Sequence, residues 1–275
     1  MSQAMARRRE AAAAGLPGDE YAGVQARFYD QYFTGLEGDV EFYRDEALSE
    51  GGPVLELGCG SGRTLLPIAT AGIDIVGLES SADMLARGRR RLAALPRQVR
   101  DRVELVEGDM RDFSLGRTFT LITIPYRTFQ HLLEPEDQRR ALAAMAAHLE
   151  PGGRLVYNTF DPARDLAERA WSPTGPLELD TEFQDPETGR QVRVCFRRAY
   201  DLERQHLLQE LQYEESEGER VVATTRAHLT LRYTYRFEME HLLAVSGFQP
   251  IALYGYFDGR PYPGFGEQVW VAERQ

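Results

Sequence analysis

The run Val54-Leu55-Glu56-Leu57-Gly58-Cys59-Gly60-Ser61-Gly62-Arg63 decides the fold. Gly51, Gly52 and Pro53 break the chain ahead of it, and Val54 to Leu57 reads as a short strand. Ser61 to Ala71 carries a helical apolar pattern that stops at Gly72. The glycines therefore sit at a strand-to-helix turn, where the backbone can bend tightly and approach a ligand without Cβ clashes. In an open α/β sheet, ligands bind beyond the carboxyl ends of the strands. A dinucleotide turn requires G-x-G-x-x-G, but Arg63 stands at the third-glycine position and the third glycine arrives one residue early. A nucleoside ligand without a pyrophosphate fits this loop better, which disfavours a dehydrogenase. A P-loop is excluded because its lysine is missing.

Working outward, Ile73 to Leu78 reads as a second strand, and Ser81 to Leu95 as a helix capped by Ser80 or Ser81 and closed by Pro96. Val103 to Val106, Phe119 to Ile124 and Arg154 to Phe160 continue the strands, with a helix over Pro135 to Leu149. This alternation predicts a doubly wound α/β fold with helices on both faces of a mostly parallel sheet. From about Pro176 to Phe237 the pattern changes to β segments: Val192 to Tyr200, Leu207 to Glu214 and Val221 to Tyr235. They read as an antiparallel insertion after the fifth strand. Glu238 to Ser246 is a late helix, and Ile251 to Tyr254 and Val269 to Ala272 bring the main sheet to seven strands. Upstream, Tyr21 to Tyr32 reads as one amphipathic helix and Phe42 to Leu48 as another. The expected organisation is a flexible tail over 1–20, a main domain over 21–175 and 238–275, and the insertion over 176–237.

Charge and composition exclude several classes. The 275 residues carry a formal charge of −11, and an acidic surface repels phosphate backbones, so no nucleic-acid partner is expected. The basic run Arg87 to Arg91 reads as the solvated face of a helix. All 32 basic residues are arginine, which rules out Schiff-base chemistry and a lysine base. Cys59 and Cys195 form no paired framework and no metal-type cluster, so a reducing cytoplasm is expected and no metal site. No apolar run is long enough to cross a bilayer, and the alanines of Ala4 to Gly15 are too few for a signal peptide.

VLELGCGSGR resembles the first motif of the class I S-adenosylmethionine-dependent methyltransferases, and the later motifs match in order. Val76 to Ser81 with Met84-Leu85 resembles the second motif, Glu107-Gly108-Asp109-Met110 the third and Phe119 to Tyr126 the fourth; Pro151 to Leu155 resembles the turn before strand five. The chain looks most like the small-molecule members, the sugar N-methyltransferase and glycine N-methyltransferase-like group. The resemblance implies a seven-stranded Rossmann-like sheet and S-adenosyl-L-methionine as cofactor, leaving as S-adenosyl-L-homocysteine. It implies that Glu79, backed by Ser80, accepts from the ribose hydroxyls, a role that suits a carboxylate. Family members more often have aspartate there. By the same resemblance Asp109 accepts from the adenine amino group, beside Met110 and Ile124, and Met84 packs on the adenine. Glu56 approaches the methionine amino group through water, and Gly58, Gly60 and Gly62 line the methionine and ribose. Helix packing for Met84 and a turn cap for Asp109 are the competing readings.

The resemblance also covers the acceptor side. Tyr29, in a Y-D-x-x-Y segment, folds over the cofactor, its ring attracting the sulfonium cation; simple amphipathic packing is the alternative. Tyr126, Arg127 and His131 follow the fourth strand, where family members face the acceptor. Tyr126 is a candidate pocket wall, Arg127 a fork for an acceptor carboxylate or phosphate, and His131 a general base. An ion-pair arginine and a structural histidine are the alternatives. The insertion is expected to cap a small-molecule acceptor or to serve a homodimer, with Tyr233, Tyr235, Arg232 and His228 as candidates on its two faces. Methyl transfer to RNA or protein, and a non-catalytic cofactor-binding regulator, remain competing functions.

Overall fold

The computed structural model describes residues 21–168 and 172–275; the expected tail over 1–20 lies outside them. Seven strands form the main sheet: β1 (Val54–Leu57), β2 (Ile75–Glu79), β3 (Val103–Glu107), β4 (Phe119–Ile124), β5 (Leu149–Asp161), β10 (Phe248–Tyr254) and β11 (Gly266–Arg274). Their order is β10-β11-β5-β4-β1-β2-β3, parallel from β3 to β5, with β11 antiparallel to both β5 and β10. The order reverses between β1 and β4, so the crevice at their carboxyl ends is where this topology seats a ligand. The doubly wound sheet read from the sequence is the one observed.

Successive residues of each strand feed opposite faces. Leu55, Leu57, Tyr157 and Trp270 belong to one buried cluster, and Val54, Val156, Val269 and Val271 to the other. Both faces are apolar, as a sheet covered by helices on each side requires. The covering helices include α3 (Asp39–Glu50), α4 (Leu65–Thr70), α5 (Ala82–Ala93), α7 (Pro135–His148) and α9 (Arg236–Val245).

Between β5 and α9 lies a separate antiparallel sheet, β6 (Glu178–Gln184), β7 (Gln191–Asp201), β8 (His206–Glu217) and β9 (Arg220–Arg232), in sequential order. Its inner face presents Val192, Val194, Leu211 and Tyr213 to Phe28 and Phe33 of the N-terminal segment. Its outer face carries ion pairs such as Arg193–Glu182 and Arg197–Glu210.

Three expectations need correction. The helix expected over Tyr21 to Tyr32 is two short ones, α1 (Gly23–Arg27) and α2 (Tyr29–Tyr32), divided at Phe28. Phe28 is buried against Tyr213 and Phe183, at ring distances of 5.8 and 5.5 Å. That contact outweighs helix continuity, which contributes little in so short a segment. The last insertion strand stops at Arg232, so two-residue alternation does not carry through to Tyr235, which caps α9 instead. Ala227, Leu229 and Leu231 face inward, which leaves His228 exposed on the other side. Finally, the helix after the glycine loop starts at Leu65 rather than Ser61, because left-handed Gly60 and Gly62 hold the preceding residues out of the helix. Among the described residues no helix is long and apolar enough to cross a membrane.

Candidate cofactor and acceptor site

Gly58, Gly60 and Gly62 all have positive φ, at 67°, 53° and 82°. Their amides are engaged internally: Gly58 donates to Leu78 O (2.8 Å), Gly62 to Cys59 O (2.8 Å) and Gly60 to Glu79 Oε2 (2.9 Å). A pyrophosphate site needs backbone N–H groups aimed at the ligand, and here these three are taken. The loop offers close backbone approach instead. A Cβ on Gly58 would stand 2.2 Å from Thr128 Cγ2, and one on Gly62 3.0 Å from Leu66 Cγ. Packing therefore requires glycine at 58 and is tight at 62, whereas the open side of Gly60 lies near Met84 Cε and the Tyr29 hydroxyl (3.3 and 3.9 Å from a Cβ built there).

Glu79 ends β2 and is 8% exposed. Its Oε1 accepts from Ser81 N (2.8 Å), as its Oε2 does from Gly60. Burial raises its pKa above the ordinary carboxylate value, against the pull of those amides and of nearby His131. Glu56, in the middle of β1, is fully buried, and its Oε2 has no hydrogen-bond partner among the described residues. Burial pushes its pKa up to about 8, although the Thr64 side chain and Leu65 amide bond to it. A buried carboxylate with a vacant oxygen lacks a donor, and the amino group of S-adenosylmethionine is the donor the resemblance implies. A buried carboxylate just before the loop, a second bonded to its middle and the glycine surface beside them fit that cofactor.

The N-terminal segment closes over this loop. Asp30 accepts from Ser61 Oγ (2.6 Å), Arg87 (2.9 Å) and Arg91 (3.3 Å). Ser81 Oγ donates to Tyr21 O at 2.9 Å. On the other side, Arg27 pairs with Asp185 (2.5 Å) and Glu215 (3.1 Å) of the insertion. An aromatic wall results: Tyr21 lies 5.7 Å from Tyr29 and 5.3 Å from His131, Tyr29 lies 5.2 Å from Phe33, and Phe33 lies 6.4 Å from Tyr126. Such a wall attracts a cation through its ring faces. Burial raises the Tyr29 phenol far above its usual pKa, which keeps it a neutral donor.

After β4 the chain turns through Tyr126 and Arg127, two non-glycine residues with φ of 56° and 65°. His131 ends the 3₁₀ turn Thr128–His131 and shares a 3.1 Å hydrogen bond with Tyr21 OH through Nε2. Tyr126 stands in the aromatic wall, with the Arg63 guanidinium 5.1 Å from its ring. Arg127, read from the sequence as an anion-binding fork or an ion-pair arginine, bonds Glu267 Oε2 through Nη2 and Nε at 2.6 and 3.1 Å. A carboxylate of the chain itself holds both prongs, so the ion-pair reading applies.

The remaining sequence-predicted residues are placed less centrally. Both oxygens of Asp109 bond to Arg111, two residues on, which also reaches Asp137. Met110 is half-buried against the main core, Ile124 is fully buried within it, and Ser80 is exposed. Met84 is buried beneath Gly60. The Arg232 side chain is buried, bonding Arg204 O and pairing with Glu238. Tyr21, Asp30, Phe33 and Glu267 were not singled out from the sequence. The aromatic richness of Tyr21 to Phe33 hinted at Tyr21 and Phe33, and the Y-D-x-x-Y segment at Asp30.

Comparison with known proteins agrees with this geometry. Residues 54–153 match the family described as methyltransferase domain. The chain is 29% identical over 230 residues to the cypemycin N-terminal methyltransferase of a Streptomyces species, covering 82% of this chain and 84% of that protein. Among solved structures, the CcbJ methyltransferase of Streptomyces caelestis superposes with a TM-score of 0.80 at 25% identity, over 94% of this chain and 99% of that one. CalS10, an amino pentose methyltransferase of Micromonospora echinaspora solved with S-adenosylmethionine bound, gives 0.66 at 26% identity, over 93% and 98%. A glycine loop without free amides for a pyrophosphate, two buried carboxylates beside it and these likenesses lead to one assignment: residues 54–153 form a methyltransferase domain of the S-adenosylmethionine-dependent type.

Proposed function

We propose that the chain methylates an amine nitrogen on a small, hydroxyl-bearing or peptide-like acceptor. One observation carries the choice of acceptor. From the end of β5 into the insertion, three carboxylates accept from tyrosines: Asp161 from Tyr262 (2.7 Å), Asp165 from Tyr200 (3.2 Å) and Asp180 from Tyr32 (2.6 Å). Carboxylate and phenol oxygens of this kind suit an ammonium or hydroxyl donor better than an anion. Arg127, the cation expected to favour an anionic acceptor, is neutralised by Glu267. The cypemycin and amino pentose enzymes, by their names, act on an amino terminus and an amino sugar, which supports the same reading.

When bound, S-adenosylmethionine supplies a methyl group on a sulfonium, ready for in-line displacement. In this reading Glu56, Gly58, Gly60, Gly62, Glu79, Ser80 and Tyr29 hold it, with Met84, Asp109, Met110 and Ile124 toward its adenine end. The aromatic wall of Tyr21, Tyr29, Phe33 and Tyr126 excludes water and holds donor and acceptor together, where most of the rate enhancement arises. His131, oriented by Tyr21, takes up the proton that the acceptor nitrogen sheds. The insertion caps the acceptor, and its edge strand β6, with Leu179 exposed, offers the contact for a homodimer. With both cysteines free, the cytoplasm is the compartment of this reading.

The test is incubation with S-adenosylmethionine and a panel of amino sugars, nucleotide-linked amino sugars and peptides with free amino termini, followed by mass spectrometry. Products methylated on nitrogen are expected. Methylation of oxygen or carbon acceptors alone, or of RNA or protein alone, would overturn the proposal.

A further inference from the structure

Tyr126 and Arg127 adopt consecutive left-handed conformations, which L side chains keep only when their surroundings impose them. The surroundings are a buried polar chain that spans three elements. Arg127 is held by Glu267 at the start of β11, whose side chain is 4% exposed. Glu267 Oε1 accepts from Asn158 Nδ2 of β5, and Asn158 Oδ1 accepts from Tyr43 OH of α3 at 2.8 Å. The same Oδ1 lies 3.5 Å from the Arg127 amide. Asn158 and Tyr43 are fully buried. Beyond the turn, Thr128 Oγ1 donates to Pro125 O at 2.7 Å, and the Thr128 methyl lies against Gly58 so closely that only glycine fits beneath it.

The strained turn thus joins two things distant in sequence: a carboxylate on β11 and the first glycine of the cofactor loop. We propose that Glu267 is a positioning residue for cofactor binding. Through Arg127 it holds the left-handed turn that seats Thr128 on Gly58 and Tyr126 in the aromatic wall. The inference rests on residues 58–62 being the cofactor loop. Asn158 and Tyr43 orient Glu267 from behind, so that its charge meets Arg127 and not solvent.

The experiment is calorimetric titration of S-adenosylhomocysteine into the full chain and three variants: Glu267→Gln, Arg127→Gly and the double variant. Glu267→Gln is expected to weaken binding by about tenfold, the scale of one lost charge-assisted contact. Glycine takes a left-handed φ without strain, so in the Arg127→Gly background the Glu267→Gln change should no longer alter affinity. A folded Glu267→Gln protein with wild-type affinity would overturn the proposal. An affinity loss of equal size in both backgrounds would overturn it as well. Should Glu267→Gln not fold, Arg127→Gly is compared with Arg127→Ala. Both lack the ion pair and only glycine tolerates the turn, so the alanine variant should bind more weakly, and equal affinities would sink the idea. A wild type that binds no S-adenosylhomocysteine would remove the cofactor-loop reading itself, whereas a wild type that binds, with a folded Glu267→Gln variant of equal affinity, would overturn this proposal alone.

Discussion

Glu79 accepts a 2.9 Å hydrogen bond from the amide of Gly60, so the last residue of β2 is tied to the middle of the glycine loop. The carboxylate is buried and its pKa raised, which costs the folded chain stability and is a mark of a functional carboxylate. Glu79→Gln removes the desolvated charge but puts an amide where Gly60 and Ser81 need acceptors. Loss of a buried contact of this kind is worth about 1–3 kcal/mol, or roughly 5- to 150-fold in affinity. Calorimetry should show S-adenosylhomocysteine binding weakened within that range with little change in Tm. Wild-type affinity in the variant would remove Glu79 from the site.

Glu56 supplies a pH prediction. Its folded pKa of about 8 lies above the ordinary 4.5, so between those values the folded chain holds a proton that the unfolded chain has lost. Stability of the free protein therefore falls as pH rises through that window. A cationic amino group beside Glu56 stabilises its ionised form, so binding expels the proton. The Tm gain from S-adenosylhomocysteine should be larger at pH 8 than at pH 5.5. Calorimetry in buffers of different ionisation enthalpy should report proton release. Proton uptake, or no pH dependence of the gain, would place the amino group elsewhere.

Asp30 fastens the N-terminal segment over the loop. Burial raises its pKa, but Ser61, Arg87 and Arg91 outweigh that and hold it below the ordinary aspartate range. Its contribution is thus present above the unfolded pKa and is lost only as pH falls through the lower folded value. At neutral pH salt is the better probe, since half-exposed pairs are each worth only about 0.2–1 kcal/mol and are screened. Asp30→Asn should release S-adenosylhomocysteine a few-fold faster and speed tryptic cleavage after Arg27. High salt should shrink both differences. Unchanged release in the variant would mean that the segment does not gate the cofactor.

Tyr21 and His131 share a 3.1 Å hydrogen bond across 110 residues of chain. His131→Ala should lower kcat by about 10²- to 10⁴-fold, the range for losing a general base, while S-adenosylhomocysteine affinity stays near wild type. Tyr21→Phe should show a smaller loss of the same kind, because it removes one hydrogen bond that orients the imidazole. Equal losses of affinity and turnover in His131→Ala would make the residue a cofactor-site support rather than a base.

The legible part of this protein is local. Val54 to Leu57 shows strand patterning, the early third glycine separates the loop from a dinucleotide turn, and Glu79 falls at a strand end; each follows from residues within a few positions of one another. Repeats of about two and 3.6 residues suffice to set which elements form and, by their alternation, a parallel sheet. Tertiary structure decided the partners. Arg127 was open to an acceptor anion or an ion pair, and only the pairing of β5 with β11 brought Glu267, 140 residues away, within 2.6 Å. Phe28 broke an otherwise helical pattern because the insertion sheet offered Tyr213 and Phe183 to pack on. Backbone periodicity is set by the chain's own geometry, but a side chain's partner is set by whichever group folding brings within a few ångströms, and no local pattern encodes that distance.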